Sequence, residues 1–593
     1  MGSIVEINGP IVEVELPGVR TGEQVRVGEM ALIGEVIGRR GERAIVQVYE
    51  ATDSLRPGEE ARALGHPLAA ELGPGLLGGI VDGVQRPLNR ILEESGDYIA
   101  RGLEITSLDR KTRWPFVPAQ GVVPGQTLNG GDVLGTVQET PSFEHRVLVP
   151  PGVCGELLEI VPAGEYGVET VVARLRDLTG EVAELKLYQR WPVRTPRPYR
   201  RRDDAVVPLI TGQRILDTFF PLLKGGKGAV PGPFGAGKTM VQQQIARWSN
   251  ADIVLYVGCG ERGNELVDIL ESFPQLTDPY TGRSLMERTL LVANTSNMPV
   301  VAREASIYVG VTIAEYFRDQ GYDVVMVADS TSRWAEALRE VAGRLGQMPV
   351  EEGYPAYLAS RLAAFYERAG RVETLAGGTG SVTLIGAVSP PGGDFSEPVT
   401  SHTKDVVQTF WALSKALADA RHYPSVDWND SFSGYAGIAA RWWEEEVDSG
   451  WGAAREEALA LLTQAGELAR IVNLVGPEAL SPEQRWVLEG AGLIKEGVLQ
   501  QSALDPVDSF STPQKQMALL NLMLEIYHQG ARLLQSGVPV QELLRLPLLG
   551  RARRCKSSYS NDQLDELKAW GEEVRATFEG LRGEYSQMAG AGQ

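Results

Sequence analysis

Residues 232–239 carry the residue types and the spacing of a loop that binds phosphate groups. They read Gly-Pro-Phe-Gly-Ala-Gly-Lys-Thr and satisfy the pattern G-x-x-x-x-G-K-[ST]. The glycines let successive backbone N–H groups converge on a phosphate, and the N-terminus of a following helix adds positive charge. Lys238 would then reach the β- and γ-phosphates, and the Thr239 hydroxyl would bind Mg²⁺. The loop predicts a site for ATP or ADP with Mg²⁺, formed by Gly232, Pro233, Phe234, Gly235, Ala236, Gly237, Lys238, Thr239 and Met240.

The sequence on either side of this loop favours the same interpretation. A short strand at 228–231, less apolar than usual, precedes the loop. A helix follows it, with one side formed by Met240, Val241, Ile245 and Trp248. A chance glycine-rich loop is the alternative, and the order strand, loop, helix argues against it.

Asp329 is the candidate for a second Mg²⁺ ligand. It ends the apolar run 324–328, and an aspartate in that place holds the metal in many ATPases with a phosphate-binding loop. The alternative is a strand-end aspartate that caps the next turn. Many of these enzymes place a catalytic glutamate directly after the aspartate, whereas Ser330 follows here. The group that activates water is therefore expected elsewhere in the chain.

Glu261 is the candidate for that group. It lies just past the apolar strand 253–257, in the segment Gly-Cys-Gly-Glu-Arg-Gly at 258–263. Ligands of open α/β sheets lie beyond the carboxyl ends of the strands, so the loop, Asp329 and Glu261 should converge at one edge. A carboxylate there can polarise the water that attacks the γ-phosphate, with Arg262 as a counter-charge. A surface turn of Glu261 and Arg262 is the alternative, but the flanking glycines favour a close approach of the backbone to a ligand.

The elements that position these residues predict a multidomain α/β protein. Strands alternate with helices over 195–435, and the apolar runs 253–257 and 324–328 are typical of parallel strands buried on both faces. This part is therefore predicted to be a P-loop nucleotide-binding domain. Residues 436–593 are predicted to form a helical domain, in which residues 481–484 form a capping box and apolar residues recur at helical spacing, namely Leu564, Leu567, Val574, Phe578 and Leu581.

Short strands dominate the first third of the chain. The patterns at 12–16 and 44–48 predict a small closed β-barrel over residues 1–70. A connecting segment of the central domain, 71–114, is expected to be helical from Val81 to about Glu94. A glycine- and proline-rich block at 115–190 predicts an inserted β-rich module. It is faintly similar to a biotinyl or lipoyl carrier domain, but no lysine lies between Gly131 and Leu185 to carry the cofactor.

The composition excludes several classes of protein. With 593 residues, 43% of them hydrophobic and 23% charged, the chain is too long for one core and too apolar to be disordered. A net charge of −20 argues against nucleic acid as the main ligand. The three cysteines lie far apart, which fits a reducing compartment and no zinc site. Residues 1–6 lack a signal-peptide pattern and no apolar stretch reaches 18 residues, so we expect a cytoplasmic protein that does not span a membrane.

Four blocks of sequence resemble the rotary ATPase α/β family, and within it the catalytic A subunit of V-type and archaeal-type ATPases. The blocks are residues 232–239, 260–265, 327–334 and 424–433. The last satisfies the family signature P-[SAP]-[LIV]-[DNH]-x-x-x-S-x-S, and the order and spacing of all four agree over essentially the whole chain. The resemblance implies a RecA-like fold for the central domain. It also implies that Glu261 polarises water, that Tyr423 packs on the adenine ring and that Gln501 lies on the adenine side. Without the resemblance, an isolated aromatic residue such as Tyr423 is more often part of a hydrophobic core than a ligand contact.

The resemblance further implies a function and a set of partners. The chain would be the ATP-hydrolysing or ATP-synthesising subunit of a rotary motor that moves protons or sodium ions across a membrane. Three copies would alternate with three non-catalytic B subunits, each supplying an arginine finger, and central-stalk and peripheral-stalk subunits would join this ring to a membrane sector. The barrel would form a crown of the ring, and the block 115–190 corresponds to the insertion that distinguishes the A subunit. The chain would lie on the cytoplasmic face of the membrane and bind no nucleic acid.

One departure and three rival functions accompany this interpretation. Eukaryotic A subunits carry a redox-sensitive cysteine where this chain has Ala236, which favours a prokaryotic complex. A non-catalytic B subunit is disfavoured by Lys238 and Glu261. An RNA translocase similar to Rho is disfavoured by the negative charge and the insertion, and an export ATPase would have no comparable insertion. The coupling ion and the physiological direction stay open, because ion choice resides in other subunits.

Overall fold

The computed structural model describes residues 1–96 and 99–591. Residues 97–98 and 592–593, which fall in the predicted connecting segment and helical domain, lie outside the described residues. The chain forms two compact units. The first unit comprises Met1–Ala205, Lys224–Pro231 and Ala251–Val407, and the second comprises Val206–Leu223, Gly232–Asn250 and Gln408–Gln593.

The first unit begins with a closed barrel of six antiparallel strands, which confirms the predicted barrel. The strands are β1 (Gly2–Asn8), β2 (Ile11–Glu15), β3 (Glu23–Val27), β4 (Leu32–Arg40), β5 (Arg43–Val48) and β6 (Glu60–Pro67). They close in the order β1-β2-β5-β4-β3-β6. Alternate apolar residues such as Val12, Val14 and Val46 are fully buried in the barrel core, as the period of two along a strand requires.

The connecting segment differs from the prediction of a helix beginning at Val81. It forms β7 (Ala69–Leu72), β8 (Ile80–Val81) and α1 (Leu88–Ser95). The helix starts seven residues late because the Asp82 carboxylate accepts the backbone N–H groups of Val84 (3.1 Å) and Arg86 (2.7 Å) and so holds a turn there. Pro87 then precedes the first helical residue.

The predicted β-rich insertion is present as two four-stranded antiparallel sheets around one apolar core. Their orders are β10-β13-β15-β16 and β12-β11-β9-β14, and a ninth strand, β17, pairs with β7. The strands are β9 (Arg113–Pro118), β10 (Thr127–Leu128), β11 (Val133–Thr140), β12 (Phe143–Leu148), β13 (Gly155–Ile160), β14 (Gly164–Gly167), β15 (Val171–Arg176), β16 (Val182–Lys186) and β17 (Gln189–Pro192).

A parallel sheet forms the rest of the first unit. Its six strands follow the order β19-β24-β22-β20-β21-β8, and the short strands β18 and β23 extend it through antiparallel pairs. The strands are β18 (Arg201–Asp203), β19 (Lys227–Pro231), β20 (Ile253–Glu261), β21 (Thr289–Thr295), β22 (Asp323–Asp329), β23 (Gly370–Glu373) and β24 (Thr379–Val388). The helices of this stretch are α2 (Lys238–Trp248), which belongs to the second unit, and α3 (Gly263–Ser272), α4 (Val300–Asp319), α5 (Thr331–Arg344), α6 (Leu358–Tyr366) and α7 (Pro398–Val406).

Helix α4 is the most deeply buried helix of the first unit, since all its residues except Val300 and Arg303 are buried. Its carboxylates meet arginines. Arg197 Nε donates to Asp319 (2.6 Å), and the Arg368 guanidinium donates to Glu315 (2.9 Å). The helix is thus held by paired buried charges as well as by apolar packing.

The second unit is mainly helical, which confirms the prediction for the C-terminal part of the chain. It contains one antiparallel pair of strands, β25 (Thr409–Phe410) with β26 (Phe432–Ser433). Strand β25 precedes α8 in the chain, and β26 lies between α8 and α9. The helices are α8 (Lys415–Asp419), α9 (Ala436–Glu446), α10 (Trp451–Val475), α11 (Pro482–Ile494), α12 (Pro513–Gln535), α13 (Val540–Leu544), α14 (Pro547–Ser558) and α15 (Leu564–Ala591). The capping box predicted at Ser481 and Gln484 is present at the start of α11. None of the helices within residues 1–96 and 99–591 combines the length and the apolar character needed to cross a membrane.

The paired charges on α4 lead to a prediction about stability. Glu315→Ala removes the acceptor of the buried Arg368 guanidinium and of the Arg197 backbone N–H (3.0 Å). Because a buried charge is then left without its partner, we expect a loss of about 3–5 kcal/mol in the stability of the first unit. The measurement is the calorimetric unfolding midpoint. Glu156→Ala, which breaks an exposed pair with Arg176 (3.0 Å) in the same unit, is the control and should change stability by about 0.5 kcal/mol or less. Equal midpoints for the two variants would contradict the importance of the buried pairs.

Candidate nucleotide-binding and catalytic site

The phosphate loop lies in the second unit and has the conformation that its sequence predicts. Helix α2 begins at Lys238, and Gly237 precedes it with a left-handed backbone (φ 85°, ψ 23°) that glycine adopts without strain. The first turn of α2 holds no acidic residue, so its positive end is not neutralised locally. The strand β19 ends at Pro231, directly before the loop in sequence. The order strand, loop, helix is thus present.

The signature block 424–433 supports the loop through its serines. The buried Ser425 hydroxyl donates to the carbonyl of Ala236 inside the loop (2.5 Å). Ser431 accepts the backbone N–H of Ala412 (3.0 Å), and Ser433 donates to the carbonyl of Pro221 (2.5 Å). Ser425 therefore holds the loop itself, and Ser431 and Ser433 hold other backbone segments of the second unit.

A cavity of about 610 Å³ adjoins the loop within the second unit. Tyr423 forms part of its wall and is 43% exposed. Its ring touches the loop, because a Cβ placed on Gly237 would lie 3.4 Å from a ring carbon. Residues 500–505, far away in sequence, also line the cavity, and Leu504 among them is 87% exposed. An exposed aromatic ring beside a phosphate loop fits the predicted contact of Tyr423 with adenine, which stays a prediction.

Gln501 also borders this cavity, but its amide is used inside the protein. Nε2 donates to the carbonyls of Gly212 (2.8 Å) and Asp508 (2.9 Å), and Oε1 accepts the Arg214 backbone N–H (2.8 Å). Both amide hydrogens are thus committed to the cavity wall. The contact of Gln501 with adenine stays a prediction, and hydrogen bonding within the wall is the role that its geometry shows.

Asp329 and Glu261 lie in the first unit at the carboxyl ends of parallel strands. Asp329 is the last residue of β22 and is opposite Gly258 of β20. Glu261 is the last residue of β20. The prediction that it lies just past the strand is wrong, because the glycine-containing residues 258–261 continue the strand. On the other side, Pro231 of β19 pairs with Val388 at the end of β24. The residue that precedes the phosphate loop therefore ends its strand at the same edge of the sheet.

The Asp329 side chain is buried, 2% exposed, and is held by a tyrosine. The Tyr256 hydroxyl donates to its Oδ2 (2.8 Å), and burial, followed by the charge of Asp329, raises the pKa of Tyr256. Ser330, not Asp329, is the N-cap of α5, because its hydroxyl accepts the Arg333 backbone N–H. The residue that caps α5 is therefore the serine and not the aspartate.

Two arginines near Glu261 are missing from the sequence prediction. Gly260 has φ +77°, and a Cβ on it would collide with the Arg303 guanidinium, whose Nη2 donates to the carbonyl of Ser296 (2.9 Å). Arg333 pairs with Glu336 (2.9 Å); its pKa is raised first by that hydrogen bond and further by the charge of Glu261. Arg333 lies in the block 327–334 and could have been found there, whereas no sequence pattern indicates Arg303.

The predicted residues thus fall into two groups. The loop residues with Met240, Tyr423 and Gln501 lie in the second unit, and Asp329, Glu261 and Arg262 lie in the first. Arg262 is exposed and precedes the first residue of α3. The alternative in which Glu261 and Arg262 form a surface turn does not hold, since Glu261 is paired within the sheet.

Four family models match the chain. They are the nucleotide-binding domain of the ATP synthase alpha/beta family at residues 212–433, its beta-barrel domain at 4–65, the alpha/beta subunit barrel-sandwich domain at 105–194, and the C-terminal domain of V and A type ATP synthase at 440–543. The model at 4–65 corresponds to the barrel, and the model at 105–194 corresponds to the insertion.

Curated relatives match over their whole length. The V-type ATP synthase alpha chain of Nitrosococcus oceani is 70% identical over 99% of both chains. The A subunit of the A-type ATP synthase of Methanopyrus kandleri is 53% identical over 98% of both. Among solved structures, the assembled ATPase EscN of the enteropathogenic E. coli type III secretion system has a TM-score of 0.62 at 22% identity, covering 88% of this chain and 100% of that one. That likeness concerns the fold alone.

The cavity beside the loop leads to a prediction about nucleotide binding. We expect Tyr423→Ala to weaken ADP binding about tenfold, because the base would lose an aromatic stacking surface. Inorganic tripolyphosphate, which carries no base, should bind both proteins equally in calorimetric titrations. Tyr423→Phe, which keeps the ring, should bind ADP like the unmodified chain. Equal losses for ADP and tripolyphosphate would instead mean that the substitution distorts the loop.

Proposed function

The chain belongs to the family of V-type and A-type ATP synthase alpha (A) chains, and we propose that it is the catalytic subunit of a rotary complex that couples ATP hydrolysis or synthesis to proton or sodium transport. The identity of 70% over the full length supports this function over that of an export ATPase, which is a distant structural neighbour. The match at 440–543 to a domain specific to the V and A types points the same way. Like its relatives, the chain binds ATP and ADP and is part of a complex of several subunits.

One observation carries the catalytic assignment: three strands of one parallel sheet end, at the same edge, in Glu261, in Asp329 and in the residue before the phosphate loop. In open α/β sheets this edge is where ligands bind. Backbone N–H groups of residues 232–237 and the Lys238 ammonium would bind the phosphates. Glu261 would accept hydrogen bonds from the attacking water and draw its proton away, and Arg262 would balance the charge.

We propose Asp329 and Thr239 as oxygen donors to a magnesium ion, because of the types of oxygen that each offers. Mg²⁺ prefers carboxylate and hydroxyl oxygens, and the buried Asp329 carboxylate and the Thr239 hydroxyl offer these. When bound with the nucleotide, the ion would offset negative charge on the phosphates. Tyr256 would keep the Asp329 carboxylate in one orientation through its hydrogen bond.

The partners and the location follow from the same family. We propose that three copies alternate with three B subunits, that each B subunit supplies an arginine finger, and that central-stalk and peripheral-stalk subunits link the ring to the membrane sector. The chain would then lie on the cytoplasmic face of the membrane. An arginine finger is worth about 10³–10⁵ in rate, so the isolated chain should be a poor ATPase.

Co-expression with the neighbouring B-type subunit tests this function. We expect a ring of alternating copies, seen by native mass spectrometry, with an ATPase rate about a thousandfold or more above that of the isolated chain. The control is a ring whose B subunit lacks the finger arginine, which should assemble and remain slow. Full activity of the isolated chain would contradict the incomplete site, and binding of single-stranded RNA with RNA-dependent hydrolysis would favour the translocase function.

The role of Glu261 leads to a separate prediction. In the assembled ring Glu261→Gln should bind ATP normally but lose turnover, because the amide cannot take a proton from water. Lys238→Ala should lose nucleotide affinity as well, because its ammonium contacts the phosphates. Glu271→Gln, an exposed position on α3, is the matched control and should keep full activity. Undiminished hydrolysis by the Glu261→Gln ring would exclude the proposed role.

A further inference from the structure

Lys556 lies in the last turn of α14 and borders the cavity beside the phosphate loop. Its Nζ donates to the backbone carbonyls of Glu496 (2.6 Å) and Gln500 (2.8 Å) and to the side-chain Oε1 of Gln500 (3.2 Å). An ammonium group has three N–H donors, so all of them are used within the chain. Lys556 therefore acts on the cavity wall and not on a ligand.

The residues that Lys556 holds are joined to the segment of Tyr423, which also lines the cavity. The Gln500 side chain, fixed through its Oε1, donates from Nε2 to the carbonyl of Arg421 (3.3 Å). The next residue, Gln501, donates its backbone N–H to the carbonyl of Tyr423 (2.8 Å). A chain of hydrogen bonds thus runs from Lys556 through Gln500 to the segment that carries Tyr423.

We propose that Lys556 is a positioning residue for the base of the nucleotide, and that its positive charge keeps Gln500 and the Tyr423 segment at the separation that the base requires. The inference rests on the proposed function, since it assigns the cavity to the base. Removal of the charge should therefore weaken the binding of a nucleoside diphosphate and leave the binding of a bare polyphosphate unchanged. This makes the affinity for the base dependent on pH.

The surroundings of Lys556 set the pH range. Burial, together with the positive charge of Arg214, lowers the pKa of Lys556 to about 8. The negative charges of Asp508 and Glu496 act in the opposite direction and raise it. Cys555 of the same helix and His422 also lie in its electrostatic surroundings. A neutral amine has two hydrogens and a lone pair, so one of the three oxygens would lose its donor and face that lone pair. The affinity for the base should accordingly be full below this pKa and fall as the pH rises through it.

A second lysine titrates in the same range and must be separated from the first. Burial also lowers the pKa of Lys515, on α12, to about 8, and its Nζ donates to the carbonyl of Val507 (3.2 Å). Arg214, Asp508 and Asp505 face it. Because both lysines have pKa values below the ordinary value of 10.5, the unfolded chain binds more protons above pH 8, and folding stability should rise with pH there. Base affinity and stability should therefore change in opposite directions.

The test is calorimetric titration of the full chain with ADP and, separately, with inorganic tripolyphosphate between about pH 7 and about pH 9.5. We expect the Kd for ADP to rise about tenfold over this range, which corresponds to the loss of one hydrogen bond from a charged group. The Kd for tripolyphosphate should not show this rise. Lys556→Arg, which stays charged, should bind ADP tightly and remove the pH dependence. Lys556→Met should bind ADP weakly at every pH.

Two controls complete the design. Lys568→Met, an exposed position on α15, should behave like the unmodified chain, and Lys515→Arg should keep the pH dependence. A Kd for ADP that does not change with pH in the unmodified chain would overturn the inference. A pH dependence that disappears in Lys515→Arg but persists in Lys556→Arg would also overturn it. A chain that binds neither ADP nor tripolyphosphate at about pH 7 would contradict the proposed function itself.

Discussion

Helix α4 places three carboxylates, Glu304, Glu315 and Asp319, where almost no water reaches them. Buried carboxylates are tolerated only when cations and hydrogen-bond donors satisfy them, so the chain must bring its partners to this helix. The segment that returns from the insertion supplies Arg194 and Arg197, and the turn after α6 supplies Arg368. The pairing of these buried charges is the constraint on which the organisation of the first unit depends.

The same helix connects the barrel and the insertion to the sheet. Arg194 bridges Glu304 (2.7 Å) and Glu35 of the barrel (3.0 Å). From the insertion, His145 contacts the Tyr316 hydroxyl of α4 (2.8 Å) through one ring nitrogen and Glu139 (2.7 Å) through the other. Gly310 lets α4 lie close to the sheet, since a Cβ there would come within 2.6 Å of Val257. The strands that end in Glu261 and Asp329 thus lie against a helix that is itself bonded to the barrel and to the insertion, which suits the catalytic role that we propose for them.

Local sequence patterns predicted the features whose physics is local. The phosphate loop, the alternating strands of the barrel and the apolar parallel strands each follow from residues within a few positions of one another. The helix predicted from Val81 failed because the Asp82 carboxylate competes for backbone N–H groups, a local effect that hydrophobic spacing does not report. Arg303 and the wall role of Gln501 could not be predicted, because their contacts join distant parts of the chain. The Gln501 amide, for example, bonds to a carbonyl 289 residues away.

In the proposed function, the second unit would recognise the two ends of a nucleotide by different means. Backbone N–H groups of the loop would bind the phosphates, and this needs only glycines and the start of a helix. The cavity that we assign to the base depends instead on buried polar groups. These include the pair of Arg214 with Asp508 (2.7 Å) and the bonds from Arg214 Nε and Nη2 to the carbonyls of Val498 (2.6 Å) and Gln500 (2.8 Å). In such a network each group is held by the others, so a substitution out of reach of the nucleotide can still change the shape of the cavity. If the base binds in this cavity as proposed, its selectivity would change through residues 498–508 while the phosphate loop stays the same.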